Sequence, residues 1–333
     1  MNFSLIVPVF NRPDEIRELL QSIAELDFDD VFEVVIIEDG STVTCETIVK
    51  SYIGQLDIAY YQKQNSGPGD SRNFGMQKAK GDYFLIFDSD CILPKHYLLN
   101  VKTALQQNYV DCFGGPDKAL DSFSDIQKAI NFAMTSFIST GGVRGGSESI
   151  DKFQPRSFNM GLSRNAFISS GGFGNIHPGE DPDLAIRLWR SGFNTKLIPQ
   201  AYVYHKRRIS WSKFRTQVSK FGKARPILNK RYPEYAKFTY FFPTFFCIGF
   251  ILGVGLAIVG FPYILGLFAI YFLVAFVMAF IGSKSIRVAS LALVAIIIQF
   301  YGYGVGFAES YIKVQILNKV PENSFPELFF KSK

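Results

Sequence analysis

The sequence predicts an α/β domain with a mostly parallel sheet over residues 1–205, then a basic interfacial helical segment over 206–238. About three transmembrane helices over 239–308 and a tail over 309–333 follow. Three observations carry this reading. Short apolar runs alternate with amphipathic stretches through the first 205 residues, as in strand–helix–strand units. Several of those runs stop on acids and turn residues. From Thr239 to Ala308 the only charged residues are Lys284 and Arg287.

Phe3–Phe10 reads as the first strand, ended by Asn11-Arg12-Pro13. Pro13, Asp14 and Glu15 open a helix with Ile16, Leu19, Leu20 and Ile23 on one face. Val31–Ile37 is a second buried strand running into Glu38-Asp39-Gly40-Ser41, and Ile58–Tyr61 a short third. Gly67–Ala79 is a helix after a Gly-Pro-Gly turn, and Tyr83–Phe87 is a fourth strand that stops on Asp88-Ser89-Asp90. Ligands of parallel sheets collect beyond the carboxyl ends of the strands, so Asn11, Asp39, Asp88 and Asp90 are expected around one crevice. Two carboxylates at a strand end can hold a hard divalent cation against a diphosphate, although Asp and Ser are also ordinary turn residues. Further on, Phe123–Ser139 reads as a helix. The Gly-rich Gly141–Ser147 is either a loop that moves over substrate or a plain connection. Pro182–Arg190 has the pattern of an amphipathic helix, with Glu180-Asp181 at its start.

Thr239–Gly260, Phe261–Gly282 and Val288–Ala308 each reach the roughly 20 residues a helix needs to cross a bilayer. Just before them, Lys206 to Lys237 holds eleven basic residues against Glu234 alone, which leaves the rest of the chain net acidic. Such a stretch beside a membrane helix suits positive-inside orientation and anionic headgroups, and its position argues against nucleic acid as the partner. Trp211, Phe214, Val218 and Phe221 recur at helical spacing, as an interfacial helix would have them. Three crossings place the tail opposite the first domain, yet Lys313, Lys319, Lys331 and Lys333 favour the same side. Either the charge rule is weak here or one segment is re-entrant.

Met1-Asn2-Phe3 runs directly into the first strand without a basic leader or long apolar region. The expectation is an integral protein of a bacterial inner membrane with its first 205 residues in the cytosol. Cys45, Cys91, Cys112 and Cys247 are scattered without CxxC spacing, which supports neither a disulfide framework nor a zinc site.

Taken together, Val7-Pro8-Val9-Phe10-Asn11-Arg12, Glu38-Asp39-Gly40-Ser41, Arg72-Asn73-x-Gly75 with Ala79-x-Gly81, Asp88-Ser89-Asp90 and Gly171-Gly172-Phe173…Gly179-Glu180-Asp181 resemble family 2 glycosyltransferases in order and spacing. The resemblance covers about residues 3–205. It implies a GT-A fold, a nucleotide-diphosphate sugar as donor (UDP foremost), a divalent metal (Mg²⁺ or Mn²⁺) and inversion at the anomeric carbon.

Carried over residue by residue, it implies Asp39 for base recognition, with Pro8, Val9, Asn11, Arg72, Asp88 and Ser89 around the nucleotide sugar. Asp90 is then the direct metal ligand, with Asp88 as partner to metal or ribose. Asp181 becomes the base for the acceptor hydroxyl, and Glu180 aligns sugar or acceptor. His205 completes the metal shell in some relatives, but a lone strand-end His is often structural. Asn159, in Phe158-Asn159-Met160-Gly161, either bonds donor-sugar hydroxyls or is a buried backbone-bonding amide. Asp39 can equally bond its own turn, and the acids at 180–181 can simply serve a helix N-terminus.

The chain departs from the family's polymer-forming members. Arg187-Leu188-Trp189 lies just after Asp181, and Arg215-x-Gln217 does not complete a Gln-x-x-Arg-Trp element. Transfer of one sugar to a membrane-associated acceptor, a lipid-linked saccharide or glycolipid, is the leading reading. A polyprenyl-phosphate glycosyl synthase and a non-catalytic nucleotide-sugar-binding scaffold are the alternatives.

Overall fold

The computed structural model describes residues 1–120, 122–141, 152–206 and 210–330. Of the expected moving loop only Gly141 falls among them, and Arg207 and Arg208 of the basic run fall outside. The strands are β1 (Phe3–Val9), β2 (Phe32–Asp39), β3 (Ile58–Lys63), β4 (Tyr83–Phe87), β5 (Cys91–Ile92), β6 (Cys112–Gly114), β7 (Asp117–Lys118), β8 (Asn159–Ser163), β9 (Thr195–Leu197) and β10 (Val203–His205). The α-helices are α1 (Pro13–Ala24), α2 (Glu46–Tyr52), α3 (Pro68–Lys78), α4 (Tyr97–Gln107), α5 (Asp125–Thr135), α6 (Phe137–Thr140), α7 (Arg164–Ser170), α8 (Glu180–Arg190), α9 (Trp211–Arg231), α10 (Phe242–Ile258), α11 (Tyr263–Ser283), α12 (Ile286–Ser310) and α13 (Pro321–Ser324).

The chain forms two compact units, and their limits differ from a simple cut at residue 205. The first takes the described residues of Met1–Lys118, Gly146–Lys206 and Phe329–Lys333, and the second those of Ala119–Gly145 and Arg207–Leu328.

The first unit is built on a seven-stranded sheet, β3-β2-β1-β4-β8-β6-β9, with a three-stranded sheet β5-β10-β7. From β3 to β4 the pairing is parallel; β8 runs antiparallel to β4 and β6. Because β1, β2 and β4 are covered on both faces, their sequences are continuously apolar rather than alternating. Leu5, Val7, Val34 and Ile36 pack on the side of Leu19 and Leu20 from α1, while Ile6, Val35, Ile37 and Ile86 pack on the side of Met76 from α3. Gly75 allows the second contact to close, since a Cβ there would lie 2.5 Å from Ile37 Cδ1 and 2.8 Å from Ile6 Cγ2. This explains one of the small residues spaced along Arg72–Gly81 as a packing requirement.

In the second unit α12 is the spine. The expected single helix over Phe123–Ser139 is two, α5 and α6, separated at Ser136; α5 starts on a reciprocal cap between Ser124 and Gln127. Small residues bring α5 close to α12: Ala129 clusters with Ala289 and Ala292. The approach of α9 is closer still. A Cβ on Gly222 would lie 2.2 Å from Tyr303 O, and one on Gly306 would lie 2.5 Å from Ser219 O. Such glycine-lined seams let helix backbones touch.

One expectation is corrected here. The apolar stripe of α9 is not presented to lipid: Phe214 and Val218 are buried, with Trp211 and Phe221 packed beside them, in a cluster with Ala295, Ile296 and Phe300 of α12. The helical spacing of the stripe is real, but the surface that covers it is another helix. Replacing Gly306 by Leu should push α9 off α12 and cost about 3 kcal/mol, read as a lowered unfolding midpoint in detergent, whereas Gly255→Leu, with open space at its Cβ, should cost little.

Three helices are long and apolar enough to cross a membrane: Phe238–Ile258, Tyr263–Ser283 and Ile286–Ile316. The third runs about eight residues beyond the expected Ala308, its end continuing as a wider turn over Tyr311–Ile316.

Candidate active site

The first cluster forms where β1 and β2 end. β2 runs two residues past the expected Ile37, so Glu38 and Asp39 lie inside it and are buried. Glu38, not singled out from the sequence, accepts bonds from Cys45 N (2.8 Å), Tyr60 Oη (2.9 Å) and Ser41 Oγ, which ties down the loop after the strand. Asn11, at φ 53°, completes that tie. Its Oδ1 accepts from Thr42 N (2.8 Å) and Val43 N (3.0 Å), and its own N donates to Ser41 Oγ at 2.7 Å. Asp39 accepts from Lys63 Nζ, Ser66 N and Gly67 N, each at 3.0 Å, and from Asn65 Nδ2 at 3.3 Å. Both residues therefore shape the strand-end loops first. Any nucleobase contact by Asp39 has to displace one of these donors. Val9 is part of the core and Pro8 is half-buried beside it.

The second cluster joins three motifs through Arg72 on the first turns of α3. The guanidinium is buried, its Nη2 donating to Asp88 Oδ1 at 2.6 Å and its Nη1 to Glu180 Oε1 at 3.3 Å, over the Phe173 ring at 5.3 Å. Its neighbour Asn73 clamps Phe173 in both directions, Nδ2 to Phe173 O at 2.9 Å and Phe173 N to Oδ1 at 2.8 Å. The Arg-Asn pair thus carries the Gly171-Gly172-Phe173 turn and, after it, the start of α8.

Glu180 and Asp181 are the first two residues of α8, and no side chain caps that helix. The helix N-terminus favours negative charge, yet the two acids are pushed apart. Burial raises the Glu180 carboxyl, but His177, whose Nδ1 lies at 2.7 Å, and Arg72 outweigh it and hold it below the ordinary carboxylate range. Asp181 is pushed up to about 6, by burial first and then by the charge of Glu180, against the pull of Arg72 and Arg156. Its Oδ1 is buried with no hydrogen-bond partner among the described residues. His177 is drawn in by the structure alone; burial opposes its charge, but Glu180 prevails and raises it.

The third cluster lies where β10 reaches β5. His205 Nε2 lies 3.1 Å from Asp90 Oδ1, its Nδ1 3.9 Å from Asp117 Oδ2, and its ring stacks on Phe158 at 4.7 Å. The other Asp90 oxygen accepts from Arg12 Nη1 at 3.1 Å. Ligand atoms of Asp90, His205 and Cys91 lie within 4.8 Å of one another. The carboxylate and imidazole suit a divalent cation such as Mn²⁺, while Asp117, at 3.9 Å from Nδ1, lies beyond hydrogen-bond distance of the imidazole. The thiol does not suit a hard cation, and Cys91 Sγ already donates to Phe158 O at 3.3 Å. Asp88 faces Arg72 instead, and Ser89 is buried between the two acids. Arg12 and Asp117 were not singled out from the sequence; Arg12 sat in view within the Asn11-Arg12 motif, while Asp117 had no local signal.

Asn159 is the buried amide of the two roles its setting allows, not a sugar ligand. It is fully buried, its Oδ1 accepting from Tyr97 Oη at 2.6 Å and its Nδ2 donating to Ala201 O at 2.7 Å. With both ends of the amide spent, it offers nothing to a sugar hydroxyl and instead joins β8 to the loop before β10. Asn159→Leu should therefore destabilise the protein by about 2–4 kcal/mol, from unpaired buried groups, with donor KM nearly unchanged in the fraction that folds. Trp189 and Arg187 are structural too: Trp189 Nε1 donates to Thr195 Oγ1 at 2.8 Å, and Arg187 Nη2 to Gly172 O at 2.6 Å.

The chain is similar in sequence and in fold to several known proteins. The poly(ribitol-phosphate) beta-N-acetylglucosaminyltransferase TarS of Staphylococcus aureus is 36% identical over 114 residues, 33% of this chain and 20% of the relative. The GalNAc(5)-diNAcBac-PP-undecaprenol beta-1,3-glucosyltransferase of Campylobacter jejuni is 28% identical over 150 residues, 40% of this chain and 48% of the relative. The matched stretch thus spans a fifth to a half of these two relatives. Among solved structures, the mannosyltransferase PcManGT of Pyrobaculum calidifontis in complex with GDP-Man and Mn²⁺ superposes with a TM-score of 0.57 at 16% identity, covering 96% of this chain and 88% of that one. S. aureus TarS 1-349 in complex with UDP-GlcNAc superposes at 0.50 with 20% identity, covering 96% and 93%. These likenesses show a GT-A fold. The profile of Glycosyl transferase family 2 matches residues 4–171, half of the chain, and the chain belongs to that family.

Proposed function

We propose that the protein is a membrane-bound, metal-dependent, inverting glycosyltransferase that moves one sugar from a nucleotide-diphosphate sugar to a membrane-associated acceptor. The observation that carries this reading is Asp181: a buried carboxylate raised to about 6, with one free oxygen, beside an arginine that already bridges Asp88 and Glu180. A group of that kind is matched to taking a proton from an alcohol near neutral pH. The acceptor oxygen attacks the anomeric carbon as its proton passes to Asp181, the bond from that carbon to the diphosphate oxygen breaks, and the electron pair leaves with the nucleoside diphosphate. Asp90 and His205 would hold a divalent cation, which would supply Lewis-acid stabilisation of the leaving diphosphate when bound, while Asp88 accepts from Arg72. Glu180 stays ionised and keeps Arg72 in place.

A UDP-sugar is the favoured donor, by analogy with TarS, and a lipid-linked saccharide or glycolipid the favoured acceptor. The Campylobacter relative, named for an undecaprenol-linked substrate, and the apolar helices of the second unit support the latter. We place the catalytic unit in the cytosol, at a bacterial inner membrane.

The test is nucleotide release by detergent-purified protein with UDP-, GDP- and dTDP-sugars, with lipid extract as acceptor source. Turnover of one donor with Mg²⁺ or Mn²⁺, abolished by EDTA, is expected. Turnover of no donor sinks the reading, and turnover indifferent to EDTA sinks its metal dependence.

A further inference from the structure

The polypeptide leaves the catalytic unit after Lys206 and comes back to it at Phe329. The return is built into that unit by specific contacts. Phe329 forms a β-bridge with Ile176, Phe330 N donates to Asn175 O at 3.0 Å, and the Phe330 ring lies against Gly67, where a Cβ would come within 2.4 Å of it. A segment whose two ends belong to one folded unit crosses a bilayer an even number of times. Three crossings are thereby excluded, although three helices have the length and composition for it.

The three helices are not alike. In the most apolar stretches of Phe238–Ile258 and Tyr263–Ser283 only 6% and 11% of residues are buried, against 44% in Ile286–Ile316. Toward their connecting turn α10 and α11 pack on each other, Phe250 against Phe268 at 5.3 Å, and otherwise leave Ile251, Ile258, Leu267 and Ile270 exposed.

α12, by contrast, has polar company along its length. Asp125 of α5 pairs with Arg287 at 3.2 Å near its start, and Gln299 Nε2 donates to Ser139 O at 3.4 Å midway. Beyond that lies α9, which carries seven Lys and Arg and no acid. Arg215 of α9 sits over the Tyr301 ring at 5.3 Å, and Lys230 Nζ donates to Val314 O at 2.8 Å. Sending α12 across the hydrocarbon would drag these charges with it. Its remaining face is a stripe of exposed Val294, Ile297, Tyr301, Val305, Ile312 and Ile316 at spacings of three to seven residues, the pattern of a helix lying in an interface.

We infer that α10 and α11 form the membrane-inserted helical hairpin, and that α12 lies along the bilayer surface on the catalytic side with its apolar stripe in lipid and α9 beside it. Lys313 and Lys319 then share the side of the catalytic unit, which removes the conflict that three crossings create with the positive-inside rule.

The experiment is side-specific labelling of single cysteines by a membrane-impermeant maleimide, in intact spheroplasts and in inverted inner-membrane vesicles, in a Cys247→Ser background; the other three cysteines are buried. Exposed Lys80→Cys reports the catalytic unit, Gly260→Cys the turn between α10 and α11, Lys284→Cys the start of α12, and Glu322→Cys the chain beyond it. The expected result is labelling of Lys80→Cys, Lys284→Cys and Glu322→Cys in the same preparation, with Gly260→Cys silent there. Glu322→Cys reacting from the side opposite Lys80→Cys overturns the inference, as does Gly260→Cys reacting from the same side.

Discussion

Asp181→Asn should lower kcat by on the order of 10²- to 10⁴-fold, with donor KM nearly unchanged. The amide matches the carboxylate in shape and keeps the buried site filled, so the loss reports proton acceptance rather than folding. The parent enzyme supplies the second readout. Asp181 is raised to about 6, and the base works only when ionised, so kcat/KM should rise with pH through about 6 and level off above it. Glu180→Gln removes the neighbouring charge that helps raise Asp181, so the acidic limb should move to lower pH. Retention of nearly full turnover by Asp181→Asn would mean an acceptor that is already ionised, such as a polyprenyl phosphate, and would end the hydroxyl-acceptor mechanism.

Asp90→Ala should weaken Mn²⁺ binding by more than about 10²-fold, since even outer-shell partners of metal ligands are worth about 10- to 100-fold. The Asp90 carboxylate is the point at which Arg12 from the end of β1 and His205 from β10 converge, at 3.1 Å each. Two measurements separate binding from turnover: Mn²⁺ titration by calorimetry, and donor hydrolysis against metal concentration. The variant should show no saturable Mn²⁺ site and no metal-stimulated hydrolysis. Unaltered Mn²⁺ affinity would place the cation elsewhere and leave Asp90 as an ion-pair partner only.

Much of the catalytic unit was legible because its signals are local. Tyr83–Phe87 is a strand with the expected bounds, α3 begins and ends within one residue of expectation, and Asp88-Ser89-Asp90 follows β4 directly. Period, turn residues and strand-end acids are properties of a few neighbouring residues. The apolar helices were legible for the same reason, since length and absence of charge need no partner.

Which group each side chain meets was decided by the tertiary structure. Asn159 has a sequence setting like that of a sugar-binding amide, but Tyr97 and Ala201, 62 and 42 residues away, consume it. Asp88 and Asp90, alike in sequence, part company because Arg72 meets one and His205 the other. Glu180 and Asp181 are adjacent acids whose protonation diverges because His177 and Arg72 serve the first while burial and its charge work on the second. In the same way, α9 shows a genuine apolar stripe, and only the glycines of α12 reveal that a helix covers it. Hydrophobic period declares that a face is buried; the partner that buries it is a long-range fact, set in this chain by residues far apart in sequence such as Gly222 and Tyr303.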